Sequence, residues 1–377
     1  MLINRDCKFY SGNKPCKYHK QDGRVCEGCL DYRKIKERIL IIKLDALGDV
    51  LRTTIILPAL KKKFPDSHIT WITKANAAAL LRNNGHIDRV LNFENNYLGY
   101  ILNEEFDIGI CLDADNAGAT ILSIADCKQK SGFQTDKKGL LYPSGKESED
   151  LYLMGLNDNL KKRNRKTYQQ IIYEISGLSG EIFSPQLFPD DKTVNYSKAF
   201  AEKHRIGKDD FVIGLNTGGG SRWECKKWIR EYYPELISGL QNYDKKMKII
   251  LFGGESEKNI ISYVLGETVG EVYDAECYGS ISEFAGIISL TDIFITPDSL
   301  GFHMSVALGK YTIVLVGPTS PWELDVYGNG EIVYNDALDC IACYDTLCRR
   351  NKECMTTLTP NLIYKKVIKR IEEVSNS

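Results

Sequence analysis

Three short segments hold the residues best suited to chemistry, and each follows an apolar run that reads as a buried strand. The first is Asp45-Ala46-Leu47-Gly48-Asp49-Val50, where Asp49 stands at the start of a helix. A carboxylate there either caps the helix or, facing a cleft, takes a proton as a general base. Arg52, one turn on, either meets an anionic acceptor group or lies in solvent. The second segment follows Phe211-Val212-Ile213-Gly214-Leu215 and runs from Asn216 through Trp228. Within it, Thr217, Gly218, Gly219, Gly220 and Ser221 give exposed N–H groups and close backbone approach, while Arg222 and Lys226 add positive charge. That chemistry suits a phosphate, although the spacing is neither a P-loop nor Gly-x-Gly-x-x-Gly. The third segment is Thr296 to Met304, in which Ser299, Leu300 and Gly301 open a helix after Asp298, with His303 one turn in. Free N–H groups backed by a helix dipole attract an anion there, unless Asp298 simply caps the helix. Glu255, just after the run ending at Phe252, is placed to accept hydrogen bonds from ribose hydroxyls.

Alternating strand and helix patterns position these segments. Apolar runs at 38–44, 68–73, 89–93, 107–112 and 130–133 predict strands of one parallel sheet, separated by helical stretches such as the Ala-rich 75–82. A Pro-containing, aperiodic stretch at 180–191 reads as a linker. A second set follows, with strands predicted at 211–215, 248–252, 292–296 and 311–316, and a helix entering near Arg230. Thr359-Pro360 opens a last helix over 361–374. The reading is α/β, two doubly wound domains facing a cleft at the carboxyl ends of their strands, where ligands bind in such sheets. It divides the chain into a Cys-rich module at 1–37, a first domain at 38–185, a second at 186–358 and a closing helix at 359–377.

Twelve cysteines require an explanation, because disulfides are rare in the reducing compartment that the composition suits. Eight form two terminal groups: Cys7, Cys16, Cys26 and Cys29, then Cys340, Cys343, Cys348 and Cys354. Each group contains one Cys-x-x-Cys pair and four thiols, a donor set for structural zinc first and an iron–sulfur cluster second. Cys111, Cys127, Cys225 and Cys277 are isolated and read as small apolar residues.

Lys+Arg of 49 against Asp+Glu of 50 leaves a charge of −1, which argues against a nucleic-acid partner. The first residues carry no apolar signal-peptide core, and no apolar run reaches the length of a membrane helix, so a cytoplasmic protein is expected. Lys161-Lys162-Arg163-Asn164-Arg165-Lys166 packs five cations into six residues. It reads as a solvated loop or as a contact for a phosphorylated saccharide or the anionic inner-membrane surface.

Taken together, the three segments resemble glycosyltransferase family 9, the lipopolysaccharide heptosyltransferases. The matching text is Ile41 to Val50, Gly220-Ser221-Arg222-Trp223 with Lys226-Lys227-Trp228, Asp298-Ser299 with His303, and Val316-Gly317-Pro318-Thr319-Ser320, in order over roughly 38–375. The resemblance implies a GT-B fold of two Rossmann-like domains. It also implies metal-independent, inverting transfer from a nucleotide-sugar, usually ADP-heptose, to a lipid-linked or core oligosaccharide. It assigns the general base to Asp49, the phosphate-binding lysine to Lys226 and the pyrophosphate-facing helix start to Ser299. The glycine of the third motif falls one place late, at Gly301, and the Cys-rich module has no counterpart in the best-known heptosyltransferases, which marks a divergent branch. A competing reading makes the cysteine groups the working part of a metal-cluster redox or regulatory protein on the same scaffold.

Overall fold

The computed structural model describes residues 2–95, 97–219 and 223–375, so Ser221 and Arg222 lie outside the described residues. Strands β1 (Arg38–Ile42), β2 (His68–Thr73), β3 (Arg89–Asn92), β4 (Glu105–Cys111), β5 (Asp126–Thr135) and β6 (Leu141–Pro143) form a sheet in the order β3-β2-β1-β4-β5-β6. Its neighbours are parallel except the β5–β6 pair. Strands β7 (Val212–Asn216), β8 (Lys248–Phe252), β9 (Val272–Asp274), β10 (Ile293–Pro297), β11 (Tyr311–Leu315) and β12 (Gly330–Val333) form an all-parallel sheet, β12-β11-β10-β7-β8-β9.

The sequence dictates this burial on both faces. In β1, Ile39 and Ile41 join the apolar cluster on one side while Leu40 and Ile42 join the cluster on the other. In β7, Ile213 and Leu215 face one cluster and Val212 the opposite one. A strand apolar at every position needs helices on both faces, which parallel crossovers supply. Each sheet winds outward in both directions, so a crevice opens where the order reverses: between β1 and β4, and between β7 and β10. The helix Leu47–Thr53 leaves the carboxyl end of β1, and Leu300–Ala307 leaves that of β10.

The final helix, Pro360–Ser375, is integral to the second sheet: Ile363 and Val367 are fully buried in the same cluster as Ile213 and Leu215. The amino-terminal 37 residues are built differently. None of their described residues joins any of the five apolar clusters. They are tied down by ion pairs, Lys8–Asp88 at 3.2 Å and Lys36–Asp66 at 2.7 Å. Asp66 and Asp88 precede β2 and β3, so this module sits at the amino ends of the strands, away from the crevice.

Candidate active site

On the helix Leu47–Thr53, Val50, Leu51 and Thr53 are buried, which turns Asp49 and Arg52 together to the remaining face. Asp49 does not cap this helix: Ala46 is the N-cap residue, without a side-chain cap bond, and the carboxylate instead meets Arg52 at 2.7 Å. Arg52 is not a solvated surface residue either. Its guanidinium lies 3.5 Å from the centre of the Tyr168 ring, and only 12% of its side chain is exposed, against 34% for Asp49.

The two halves meet at a glycine. A methyl group on Gly48 would stand 2.6 Å from Cδ2 of His303, so only glycine lets the helices Leu47–Thr53 and Leu300–Ala307 pack at this depth. His303 is buried, and burial together with the Arg52 charge pushes its imidazole down to about 4, against the pull of Asp298 and Asp49. The ring is neutral at pH 7. Burial opposes the Asp49 charge as well, but Arg52, Lys43 and His303 hold its carboxyl below the usual carboxylate range. Asp49 is therefore a carboxylate able to accept a proton. Behind it, Lys43 is paired with Asp113; burial pushes Asp113 up to about 6, and the pair is ionised at neutral pH.

Across the crevice, a cavity of about 400 Å³ is walled by Gly218 and Gly219, by Ser299, Leu300 and Gly301, and by Ile281, Phe284 and Met304. Ser299 is the N-cap residue of Leu300–Ala307 but makes no side-chain cap bond, and Asp298 does not cap it either. The Asp298 carboxylate instead meets Lys226 at 2.7 Å and accepts the Thr319 hydroxyl at 2.8 Å. Against its burial, Lys226 and His303 hold Asp298 down at about 2. The cavity thus offers a helix start and glycine backbone for an anion, an apolar wall for a flat ring, and a cation at its rim.

Not every expected residue takes part. Thr217 is buried with its hydroxyl donated to the Phe252 carbonyl, which makes it a strut between β7 and β8. Glu255 lies outside the cavity: 72% of its side chain is exposed, and it pairs with Lys258. The wall carries Glu257 instead, which accepts the Gly254 N–H and pairs with Lys227 at 3.0 Å. One turn of 3₁₀ helix, Glu255–Glu257, separates the two carboxylates and sends them opposite ways. Sequence reasoning also missed Asn216, the last residue of β7. Its amide donates to Thr296 Oγ1 (2.8 Å), Ser299 Oγ (3.1 Å) and the Gly218 carbonyl (3.2 Å), and its oxygen accepts the Gly218 N–H. A Cβ on Gly301 would approach that amide to 2.8 Å, which explains the late glycine.

The family model for glycosyltransferase family 9 (heptosyltransferase) matches residues 99–353. The chain belongs to that family. It is 22% identical, over 310 residues, to lipopolysaccharide heptosyltransferase 1 of Escherichia coli K12, covering 78% of this chain and 92% of that one. Its fold is similar to that of a Veillonella parvula family 9 glycosyl transferase (TM-score 0.74, 17% identity, 90% and 98% of the two chains). It is similar also to E. coli ADP-heptose lipopolysaccharide heptosyltransferase II (0.65, 16%, 90% and 99%). The iron-containing dodecameric glycosyltransferase TibC of enterotoxigenic E. coli superposes too (0.55, 12%, 91% and 81%). The two sheets are the halves of a GT-B fold, and the protein is a glycosyltransferase.

This family 9 enzyme carries a cysteine loop that braces the segments bearing Lys226 and Thr319. Ala342 and Tyr344 donate their N–H groups to the carbonyls of Gly317 and Pro318, next to Thr319, and Cys225 donates to the Thr346 carbonyl, next to Lys226. Backbone N–H groups aim at sulfur here: Asp345 at Cys343 (3.5 Å), Arg350 and Lys352 at Cys348 (3.3 and 3.2 Å). Ala342, Tyr344, Asn351 and Lys352 all adopt positive φ, which produces those tight turns. Among the described residues, no three of the cysteine sulfurs lie within 4.8 Å of one another; the only group that does is Asp45, Asp113 and Asp115. Two of those carboxylates are already engaged by Lys74 and Lys43.

The basic run of the enzyme is largely spoken for. Lys161 lies 3.7 Å from the Tyr344 ring centre and Arg165 3.7 Å from that of Trp322, both in the second half, while Lys166 pairs with Glu174. The run straps one half to the other. No described helix is long and apolar enough to cross a membrane.

Proposed function

We propose that this enzyme transfers a heptose from ADP-heptose, with inversion, to a lipopolysaccharide core or related lipid-linked glycan, and that Asp49 is its general base. The observation that carries the reading is the Gly48–His303 contact, which packs the helix bearing the ionised Asp49 against the helix whose first residues wall a partly apolar cavity. The ADP-heptose named for the E. coli structure supports the donor, and the lipopolysaccharide relative supports the acceptor class.

In this mechanism the acceptor hydroxyl attacks the anomeric carbon from the face opposite the diphosphate and gives its proton to an Asp49 oxygen. The bond from that carbon to the diphosphate oxygen breaks with its electron pair. Charge grows on the departing nucleoside diphosphate, where Lys226, Gly218, Gly219 and the first N–H groups of Leu300–Ala307 receive it. The apolar wall of Ile281, Phe284 and Met304 takes the base. Arg52 orients Asp49 and keeps it charged. Work at the cytoplasmic face of the inner membrane follows from a lipid-linked acceptor, with the exposed part of the basic run as the membrane contact.

The loop bearing Cys340, Cys343, Cys348 and Cys354 has the donor set and the N–H···S bonds of a thiolate metal site, for zinc first and iron second. A metal would supply rigidity beneath Lys226 and Thr319, with no part in the bond changes.

The test is thermal stabilisation followed by turnover. ADP-heptose should raise the melting temperature by mass action and be consumed when a heptose-accepting core oligosaccharide is added. Stabilisation by a uridine-nucleotide sugar and not by ADP-heptose would refute the donor; stabilisation without transfer would refute the acceptor.

A further inference from the structure

Cys7, Cys16, Cys26 and Cys29 all line one cavity of about 540 Å³ inside the amino-terminal module. They reach it from three separate pieces of chain: the Cys7 turn, the N-cap position of the helix Lys17–Asp22, and the Cys26–Cys29 turn. All four are free thiols, half-buried and turned to the same space. We propose that this cavity is the seat of a four-iron, four-sulfide cluster held by these four thiolates, a site separate from the transfer chemistry.

Size decides between one ion and a cluster. A tetrahedral zinc bound at about 2.3 Å draws its sulfurs to within roughly 3.8 Å of one another and leaves no room between them. Here, among the described residues, no three cysteine sulfurs come within 4.8 Å, and all four thiols border one cavity of about 540 Å³. A cubane, whose irons and sulfides stand between the four thiolates, holds them farther apart and fills such a void. The wall is also right for it: Phe9, Tyr10, Tyr18 and Tyr32 give a largely apolar surround, and Lys14 puts a positive charge on the lining, while Arg24 is taken up by Asp22 and Asp31.

The module also has no apolar core of its own, only surface ion pairs and ring contacts such as Phe9–Tyr18. The helix Lys17–Asp22 buries no residue, Leu2, Val25 and Leu30 are exposed, and no described residue of the module enters an apolar cluster. Thirty-odd residues without a core fold on a metal group or not at all. The cluster's place in the molecule separates it from catalysis. The module grips Asp66 and Asp88 at the amino ends of the strands, whereas Asp49 follows the carboxyl end of β1, a strand about 16 Å long at its usual rise.

The test uses the full chain, purified without oxygen and reconstituted with ferric iron, sulfide and a thiol reductant, which together supply the mixed ferric and ferrous core. The wild type should hold about four acid-labile sulfides per chain, show a broad visible charge-transfer band, and give a reduced-cluster paramagnetic signal with dithionite. Cys26→Ser/Cys29→Ser should lose the sulfide and the band, while Cys343→Ser/Cys348→Ser retains both. The wild-type sulfide assay does not depend on any variant folding. No labile sulfide in the reconstituted wild type would overturn the cluster, as would one tightly bound zinc lost in the Cys26/Cys29 variant. Sulfide that persists in that variant would place any cluster elsewhere and overturn the site. The assay is independent of the donor sugar, so either result leaves the transferase reading to its own test.

Discussion

Lys226 and Asp298 form a 2.7 Å ion pair beside the cavity that Ser299 walls, although they lie 72 residues apart, in the loops after two different strands. Thr319 donates to the same carboxylate oxygen, so the lysine proposed to meet the donor diphosphate is held in place by two loops of the second sheet. Such preorganisation spares the cost of ordering a long lysine side chain when the ligand arrives. Replacing Lys226 by Ala should weaken ADP binding by roughly 10- to 100-fold, the worth of a hydrogen bond to a charged group. It should also lower the melting temperature, because Asp298 then keeps its charge with Thr319 alone. The double variant Lys226→Ala/Asp298→Asn should recover the melting temperature and not the affinity. Calorimetry and thermal denaturation read the two effects separately; unchanged ADP affinity would move the phosphate site elsewhere.

Asp49→Asn should cut the transfer rate by about 10²–10⁴-fold while ADP-heptose binding persists. Because Asp49 is held below the usual carboxylate range, the wild-type rate should stay flat through neutral pH and fall only in acid, as pH drops through that lowered value. A transfer assay across pH at saturating donor checks both, and wild-type turnover in the variant would remove the assignment.

His303 makes the fold acid-sensitive. Its pKa is about 4 in the folded protein and about 6.5 when unfolded, so between these values the unfolded chain binds the extra proton. Stability from this residue is complete above pH 6.5 and declines as pH falls toward 4, by about 3 kcal/mol in all. His303→Gln removes that term, and its stability should vary less with pH over this window than that of the wild type. Comparing the two by urea denaturation at pH 7 and pH 4.5 cancels the separate contributions of His68 and Asp113.

Asn216→Ala should cost about 1–3 kcal/mol, since Thr296, Ser299 and Gly218 each lose a buried partner. ADP affinity should fall with it, because the glycine loop and the helix start lose their common tie. Asn216→Asp keeps the size but cannot donate, and should behave like the alanine variant. Retained affinity in both would show that the two loops hold their places without it.

What the chain discloses in advance follows from burial. β2 and β8 span the predicted residues, and β1, β7 and β11 come within two residues at each end, because large apolar residues dominate each of them and nearly every position is buried. β6, β9 and β12 have only three or four residues of mixed burial, too few to raise a periodic signal. The helix predicted over 75–82 contracts to Ala78–Leu81, its first residues being taken by a turn beside Lys74. At the candidate site, Asp49, Asp298 and Ser299 could be named in advance because each lies in the loop or helix start just after a strong strand, and Lys226 because it is a cation in the glycine loop that follows β7. The exchange of Glu255 for Glu257 was not, since a single 3₁₀ turn decides which carboxylate faces in. Asn216 left a faint signal, a polar residue closing an apolar strand, and only its three donor contacts explain it.

The strap from Lys161 and Arg165 to Tyr344 and Trp322 joins the halves through rings and not through carboxylates. Dissolved salt screens exposed ion pairs, whereas contact between a guanidinium and an indole face depends largely on local packing and desolvation. These two contacts should therefore weaken less with added salt than the exposed Arg82–Asp190 pair, which also joins the halves.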